Sequence, residues 1–557
     1  MKLVFSARRV ATLLLLTVLA VLTPAANPPT TVANLYEQRR WPEVVRVAQH
    51  LRDRSPDVAY LYGMALAHLE RWSEANEVFL NGYLQYPGDK RFPLELAALA
   101  YRAKSFGAAK SYLHAALKLQ PDESYANDFL GTIYLLEGNL EASLKYWNRI
   151  GKPYIRQVQL DPLPQLDPVL LQRAFAFSVD HVLNRDQLDV SRANLDRLAV
   201  FSQYQFDVAA SERDQFDLDF RSMENTSKGK AAHLLPLLSG LPYETLYADF
   251  VNLGHSATNL ATLWRWDAQK RRLFAALSGP LTQNPRWEYR LYSDGRWENW
   301  DVSTTFHGTG VPLRQFQMNK VEAGAQVEYG VTGRLRWING FSVAQRSFRN
   351  AGIAGSLFSG GFSVQQQTGI VYDLIRIPER RFTVSSSVDA QIGRMLTGKT
   401  DLFSRVQGSA SLRWLPQPQG DDLAVSADFR TGKTFGPAPF DELFMLGMDR
   451  DNDLWLRSQP GTEGGKKGSS PIGRDYVLVQ GEIEKTVYHN EFLRWQAGPF
   501  YDAGRVYDSS HQFGSAAWLH GIGIQSKLRV PGAVMFLFSY GIDPRTGRSA
   551  FFTTVAH

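Results

Sequence analysis

The run FLRWQAGPFYDAGRVYD, residues 492–508, places Leu493, Trp495, Ala497, Pro499, Tyr501 and Ala503 at alternate positions, with Arg494, Gln496, Gly498, Phe500, Asp502 and Gly504 between them. Successive side chains of a strand point to opposite faces, so this spacing predicts a strand with one greasy face and one polar or small face. In a soluble sandwich the greasy face would be the core. In an outer-membrane barrel it faces lipid, and the polar face lines the lumen. The same alternation returns at 325–332, 381–392 and 406–414. There the inner set carries charges and small polar groups, a poor filling for a dry core but suited to a wet lumen.

Working outward, strand patterns extend from Thr245 to the C-terminal residues. At roughly 20 residues per crossing, including turns, residues 245–557 give around sixteen strands. Trp264, Trp266, Trp287, Trp297, Trp300 and Trp337 fall near predicted strand ends, as an interfacial girdle requires.

The chain has 557 residues, 44% of them hydrophobic and 12% aromatic, enough for several domains. Its formal charge of +6 is spread thinly and no dense basic run occurs, so nucleic acid is not implied as a partner. Cysteine is absent, which removes disulfides, thiolate catalysis and Cys-ligated zinc together. Lys2, Arg8 and Arg9 precede the apolar run 11–22, and small residues follow at Thr23, Ala25 and Ala26. That order predicts a secretory signal peptide over residues 1–26, without the Cys a lipoprotein needs at its cleavage point. No later stretch approaches the ~18 apolar residues of a spanning helix, so an exported chain is expected to be soluble or a barrel.

Residues 33–153 read as helical and repetitive. Pro87 and Pro121 lie 34 residues apart, and Gly63, Ala97 and Gly131 keep the same step, as do Ala75 and Ala109, and Phe79, Leu113 and Trp147. The pattern resembles the tetratricopeptide repeat, a helix pair whose small residues allow close approach and whose Pro ends the second helix. Copies at 56–89 and 90–123 match well. A third at 124–153 has Ser143 where Ala is usual, and 33–55 looks like a degenerate first copy or cap. Such arrays imply a groove for a peptide or partner protein.

Beyond Pro153 the periodicity changes. A strand is predicted at 155–160, helices at 168–179 and 189–199, and strands at 204–210 and 215–222 joined by the polar turn SERD. This β-α-α-β-β order, ending in RLAVFSQYQFDVAASERDQFDLDFRSME, resembles a polypeptide-transport-associated (POTRA) domain over 154–226. Its exposed strand edge implies β-augmentation by an extended client.

The C-terminal region resembles the BamA/TamA superfamily of outer-membrane assembly factors and two-partner secretion transporters, the surface-antigen family. FDELFMLG (440–447) is similar to the approach to that family's long sixth extracellular loop. Leu456 and Arg457 in LWLRS match the start of its loop-tip motif, YVLVQGEIE (476–484) the strand after it, and Phe500, Asp502 and Gly504 its Phe-x-Asp-x-Gly motif. Ser458 and Gln459 depart from the usual Gly and aromatic, and the chain ends AFFTTVAH instead of on an aromatic. The resemblance implies that Arg457 pairs with Asp502 to anchor the loop inside the barrel, with Phe500, Gly504, Leu456 and Gly447 shaping the surroundings. The residues permit it: Asp502 lies on the polar face, and a guanidinium can grip a carboxylate with two parallel hydrogen bonds. Arg474, Lys466 and Lys467 are the competing cations.

Other signals are weaker. GTEGGKKGSS (461–470) lacks the spacing of a phosphate loop and reads as a flexible extracellular loop. Asp449, Asp451 and Asp453 alternate without the rest of a calcium loop, so a solvated loop is expected and no metal is assigned. No catalytic motif or cofactor is indicated.

The expectation is therefore a multidomain chain: a tetratricopeptide solenoid, a POTRA-like α+β domain and a ~16-stranded antiparallel transmembrane barrel. It implies a non-enzymatic protein of a Gram-negative-type outer membrane, with its N-terminal domains in the periplasm. Its clients would be unfolded or secreted polypeptides, and periplasmic or lipoprotein partners would dock on the repeats. The alternatives are a polysaccharide-export porin, which also joins such repeats to a barrel, and a passive surface receptor.

Overall fold

The computed structural model describes residues 28–211, 215–225, 240–308, 313–351, 356–358, 360–396, 402–490, 492–530 and 534–556. The expected signal peptide and most of the SERD turn lie outside them. The described residues form two compact units that divide between Ile133 and Tyr134.

In the first unit, helices Pro28–Glu37, Trp41–Gln49, Pro56–His68, Trp72–Gln85, Arg91–Arg102 and Phe106–Leu119 follow one another through short turns. Small residues let neighbouring helices close: Gly63 faces the Phe79 ring and Gly82 the Phe92 ring, leaving no room for a Cβ. Ala75, Ala97, Ala109, Phe79 and Leu113 are fully buried, and Gly131 is buried in the following helix. Pro87 and Pro121 sit in the turns just past helices Trp72–Gln85 and Phe106–Leu119, where a missing N–H costs no helical hydrogen bond.

The second unit begins with helix Leu140–Trp147, whose Asn139 cap accepts from the Ala142 N–H. A small α+β module follows. Strands His181–Val182, Tyr154–Asp161, Gln215–Glu224 and Phe201–Ala210 form one sheet in that order. Tyr154–Asp161 runs parallel to Gln215–Glu224, which pairs antiparallel with Phe201–Ala210. Helix Arg185–Leu198, opened by an Asn184–Gln187 capping box, covers the sheet. The helix expected over 168–179 stops at Ala174. Phe175 and Phe177 stack at 5.2 Å and both pack on Phe206. Two residues apart, they share a face only on extended backbone, since a helix would splay them by about 200°. The released Ala176 N–H is taken by Ser191 Oγ at 2.8 Å.

From Thr245 onward an antiparallel barrel is built of consecutive hairpins. Its sheet holds eighteen strands among the described residues, against the sixteen or so expected. Two short ones, Thr462–Glu463 and Lys466–Lys467, belong to an infolded loop, and Thr245–Tyr247 and Phe250–Leu253 share one partner, Thr258–Trp266. Fifteen wall positions result. The side chains partition as the alternation predicts: Leu273, Phe341, Val388, Ile392 and Ile524 point out and are exposed, while Asp502, Arg346 and Arg265 point in and are buried. Trp300 departs from the expected girdle. It faces the lumen, 4.8 Å from the Phe440 ring, because the infolded loop supplies an apolar surface there.

One end of the barrel bears on the small module and its leading helix. The Asp167 N–H donates to the His255 carbonyl at 2.7 Å, and Arg173 to the Gln283 carbonyl at 3.1 Å. Asn139 Nδ2 donates to the Pro378 carbonyl at 2.8 Å, and Arg376 pairs with Glu141 at 2.8 Å. These hairpin turns mark the proximal end. The opposite end is the distal one.

Candidate functional site: the infolded loop

After strand Leu423–Phe435 the chain folds into the barrel and does not rejoin the wall until strand Asp475–His489. Its two arms are tied to each other by pairing of Phe444–Met445 with Ile472–Gly473. Gly447 passes Ser470 so closely that a Cβ would collide with its side chain. One backbone bridge, Lys467 to Trp300, joins the loop to the wall.

At the tip stands Arg457, 4% exposed. Its backbone N–H donates to Asp502 Oδ2 at 2.8 Å, and its Nε and Nη2 reach the same carboxylate at 3.0 and 2.7 Å. Nη1 donates to Glu482 Oε2 at 2.7 Å and to Gln525 Oε1 at 3.1 Å, and the guanidinium lies 3.8 Å from the Phe500 ring centroid. Four of the five guanidinium N–H donors, the charge and the cation–π face are thus used. Leu456 is fully buried, and a Cβ on Gly504 would stand 2.9 Å from its Cδ1. Gly541, on the neighbouring strand Val534–Ile542, leaves room for the Arg457 carbonyl. Ser458, which departs from the loop motif that the sequence resembles, donates from its Oγ to the His520 carbonyl at 2.7 Å.

The competing cations go elsewhere. Lys466 Nζ donates to Gln315 and Arg474 pairs with Asp508. Lys467 is buried and pairs with Glu298 at 2.6 Å, with Asp449 at 3.5 Å and with Asp451 at 3.7 Å. This corrects two expectations. The GTEGGKKGSS run is not a free extracellular loop, and Asp449 and Asp451 are not solvated. Lys270 reaches Asp449 at 2.9 Å, and Arg265 and Arg272 reach Asp451 at 2.6 and 2.7 Å. A third cluster joins Asp441 and Glu442 to wall Arg346, both at 2.7 Å, with Lys320 3.0 Å from Asp441.

The pattern is reciprocal. The loop offers Asp441, Glu442, Asp449 and Asp451 to wall cations, and Arg457 and Lys467 to wall acids. Withdrawing the loop would strand both sets as uncompensated charges in a confined space, at a cost of roughly 3–5 kcal/mol for each broken buried pair. The wall partners Lys270, Arg265, Arg346 and Glu298 escaped sequence reasoning. Lumen-facing charges opposite charges in a long loop were the signal that could have found them.

The loop also meets the barrel's first and last segments. The Arg450 guanidinium lies 3.7 Å from the Tyr243 ring centroid, and Tyr243 shares a hydrogen bond with Thr553. Trp455 packs edge-on against Phe552 at 5.0 Å. Beside the loop a polar cavity of ≈ 320 Å³ remains, lined by Gln326, Gln365, Gln367, Gln391 and Arg405 among others.

No protein-family model matches the sequence, and no curated protein matches it. Among solved structures, BamA from Haemophilus ducreyi lacking POTRA domains 1–3 is similar at 14% identity, over 72% of this chain and 84% of that one, with a TM-score of 0.40. CdiB from Escherichia coli is similar at 12% identity over 73% and 76%, with a TM-score of 0.47. CdiB from Acinetobacter baumannii gives 12%, 72% and 73%, with a TM-score of 0.43. The likeness is to barrels of that kind, and at these scores it is too loose to carry a function.

Proposed function

We propose that this chain is an outer-membrane barrel that inserts polypeptides into, or moves them across, that membrane without covalent chemistry. The observation that carries the reading is the loop held inside the lumen by three buried charge clusters. A conduit for bulk glycan needs a clear lumen at rest, whereas a wall that receives or threads a polypeptide can keep its lumen plugged. The contacts of Arg450 and Trp455 bring the same loop to Tyr243 and Phe552, where the first and last segments meet. A movement of the loop is therefore felt at that seam.

The outward apolar face supports a membrane-spanning wall, since water would not tolerate so continuous a band. In this reading residues 33–153 are a tetratricopeptide array that receives periplasmic or lipoprotein partners, supported by the Gly63–Phe79 style of helix contact. Residues 154–226 are a POTRA domain facing the periplasm. Its edge strand Phe201–Ala210 is open on one side for an extended client.

The test is reconstitution of the full chain in liposomes with an unfolded barrel protein supplied from outside, scored by protease-protected, heat-modifiable client. Faster client folding that drops when Asp502 is changed to Ala is the expected result. No acceleration with any client, beside a steady glycan or ion conductance in the unaltered protein, would overturn it in favour of an export porin.

A further inference from the structure

The charges of the infolded loop are matched by the wall, and at mid-height the outward face of the wall is largely apolar; its distal rim differs. There Arg271, Arg349, Arg394 and Arg505 stand on the outward face, in step with the exposed Leu273, Phe341, Ile392 and Tyr501 of their own strands. Among the described residues none of these four arginines has an ion-pair partner. Arg271 lies directly across from Trp266 on one neighbouring strand and from Trp297 on the other. With Trp264 and Leu273 these side chains border an outward groove of ≈ 650 Å³. Round the wall, Arg505, Tyr507 and Trp518 border a second, of ≈ 760 Å³, with Lys433, which shares Asp475 at 3.4 Å.

We propose that this distal collar binds lipids with phosphorylated headgroups in the leaflet remote from the small module. The proposal rests on the reading that the barrel spans a membrane. An exposed guanidinium at the edge of an apolar wall stands where anionic headgroups would meet it, and its fork of donors fits phosphate oxygens two at a time. The lipid source follows from the flanking side chains. Trp264 and Leu273 are 56% and 58% exposed beside Arg271, and Leu396 is 52% exposed beyond Arg394. Acyl chains cover such residues while the headgroup meets the arginine; a free phosphate ion would leave them bare. Indoles at this level also suit the boundary between acyl chains and headgroups.

The test uses the full chain in neutral detergent micelles, with a diphosphorylated glucosamine-disaccharide lipid and its dephosphorylated counterpart as probes. Retained lipid is counted by native mass spectrometry. The phosphorylated lipid is expected to stay bound and the dephosphorylated one to be lost. Arg271→Gln and Arg505→Gln should each weaken retention about fivefold, as one basic residue near an anionic surface does. Lys485→Gln, outward at the proximal end, should leave retention unchanged, and heat-modifiable mobility verifies that each variant is folded. Phosphatidylglycerol retained with the same arginine dependence supports the proposal equally. Equal retention by folded arginine variants, equal binding of the dephosphorylated lipid, or displacement by inorganic phosphate would overturn it while leaving the membrane-spanning reading intact. A chain that never enters micelles would overturn both.

Discussion

Arg457 is gripped through its backbone N–H, Nε and Nη2 by the one Asp502 carboxylate, so variants of that carboxylate separate charge from shape. Asp502→Ala leaves a buried guanidinium with Glu482 and Gln525 alone and is expected to destabilise the loop's docked state by about 3–5 kcal/mol. Asp502→Asn keeps an acceptor oxygen and should cost less. Planar-bilayer recordings measure it: the Ala variant should show larger and more frequent openings than the parent, and unchanged recordings would contradict the anchor. Asp189, in the small module, gives a pH dependence. Burial, and then the nearby Glu141 carboxylate, push its pKa up, with Arg376 opposing. The folded form therefore holds this proton more tightly than the unfolded chain does. The associated stability is fully present below the unfolded value and is lost as pH rises through the folded one. Asp189→Asn should accordingly leave thermal stability unchanged near pH ~3 and raise it increasingly above pH ~4. A stability difference that stays flat across that range would refute it.

At the scale of the element, the infolded loop behaves as a set of coupled pairs. Lys467→Met strips Glu298 of its cation, leaving it, among the described residues, the Trp300 Nε1 donor at 3.2 Å. Glu298→Gln in the same chain should recover part of the loss. A double-mutant cycle from urea unfolding in micelles should return a coupling of about 1–3 kcal/mol, and a coupling near zero would mean that the two charges do not depend on each other. The loop also shows what a sequence can display. The strand at 494–507 is legible residue by residue because period-two alternation is local, and it fixes the face on which Asp502 stands. Arg457 could be matched with it because the motif narrowed the choice of partners. Lys467, Asp449 and Asp451 were not legible. A Gly-rich run with two lysines has the composition of a solvated turn, and only the tertiary path that brings it beneath Lys270 and Arg265 makes it buried. The early end of helix Pro168–Ala174 was hidden for a related reason. Phe175 and Phe177 have helical neighbours, but a sheet below them demands that both rings point the same way.

At the scale of the whole molecule, the boundary near residue 133 has a practical meaning. Helix Leu140–Trp147 belongs with the barrel: Lys145 and Tyr146 both bind Glu379, and Glu141 binds Arg376. A chain lacking residues 28–133 is expected to keep the barrel's heat-modifiable mobility on gels at its original transition temperature. Removing residues through 147 should lower that temperature by several degrees, the scale of ~1–2 kcal/mol in a protein of this kind. Loss of the folded band in the shorter deletion would show that the first unit is needed for the second to fold.

The proximal hairpin turns, held at His255, Gln283 and Pro378 by the module and its leading helix, have one more consequence. Evolution and the protein engineer meet the same constraint there. An epitope tag or a few added residues in those turns must displace a neighbour, so an insertion at any of the three reports on the grip between module and barrel.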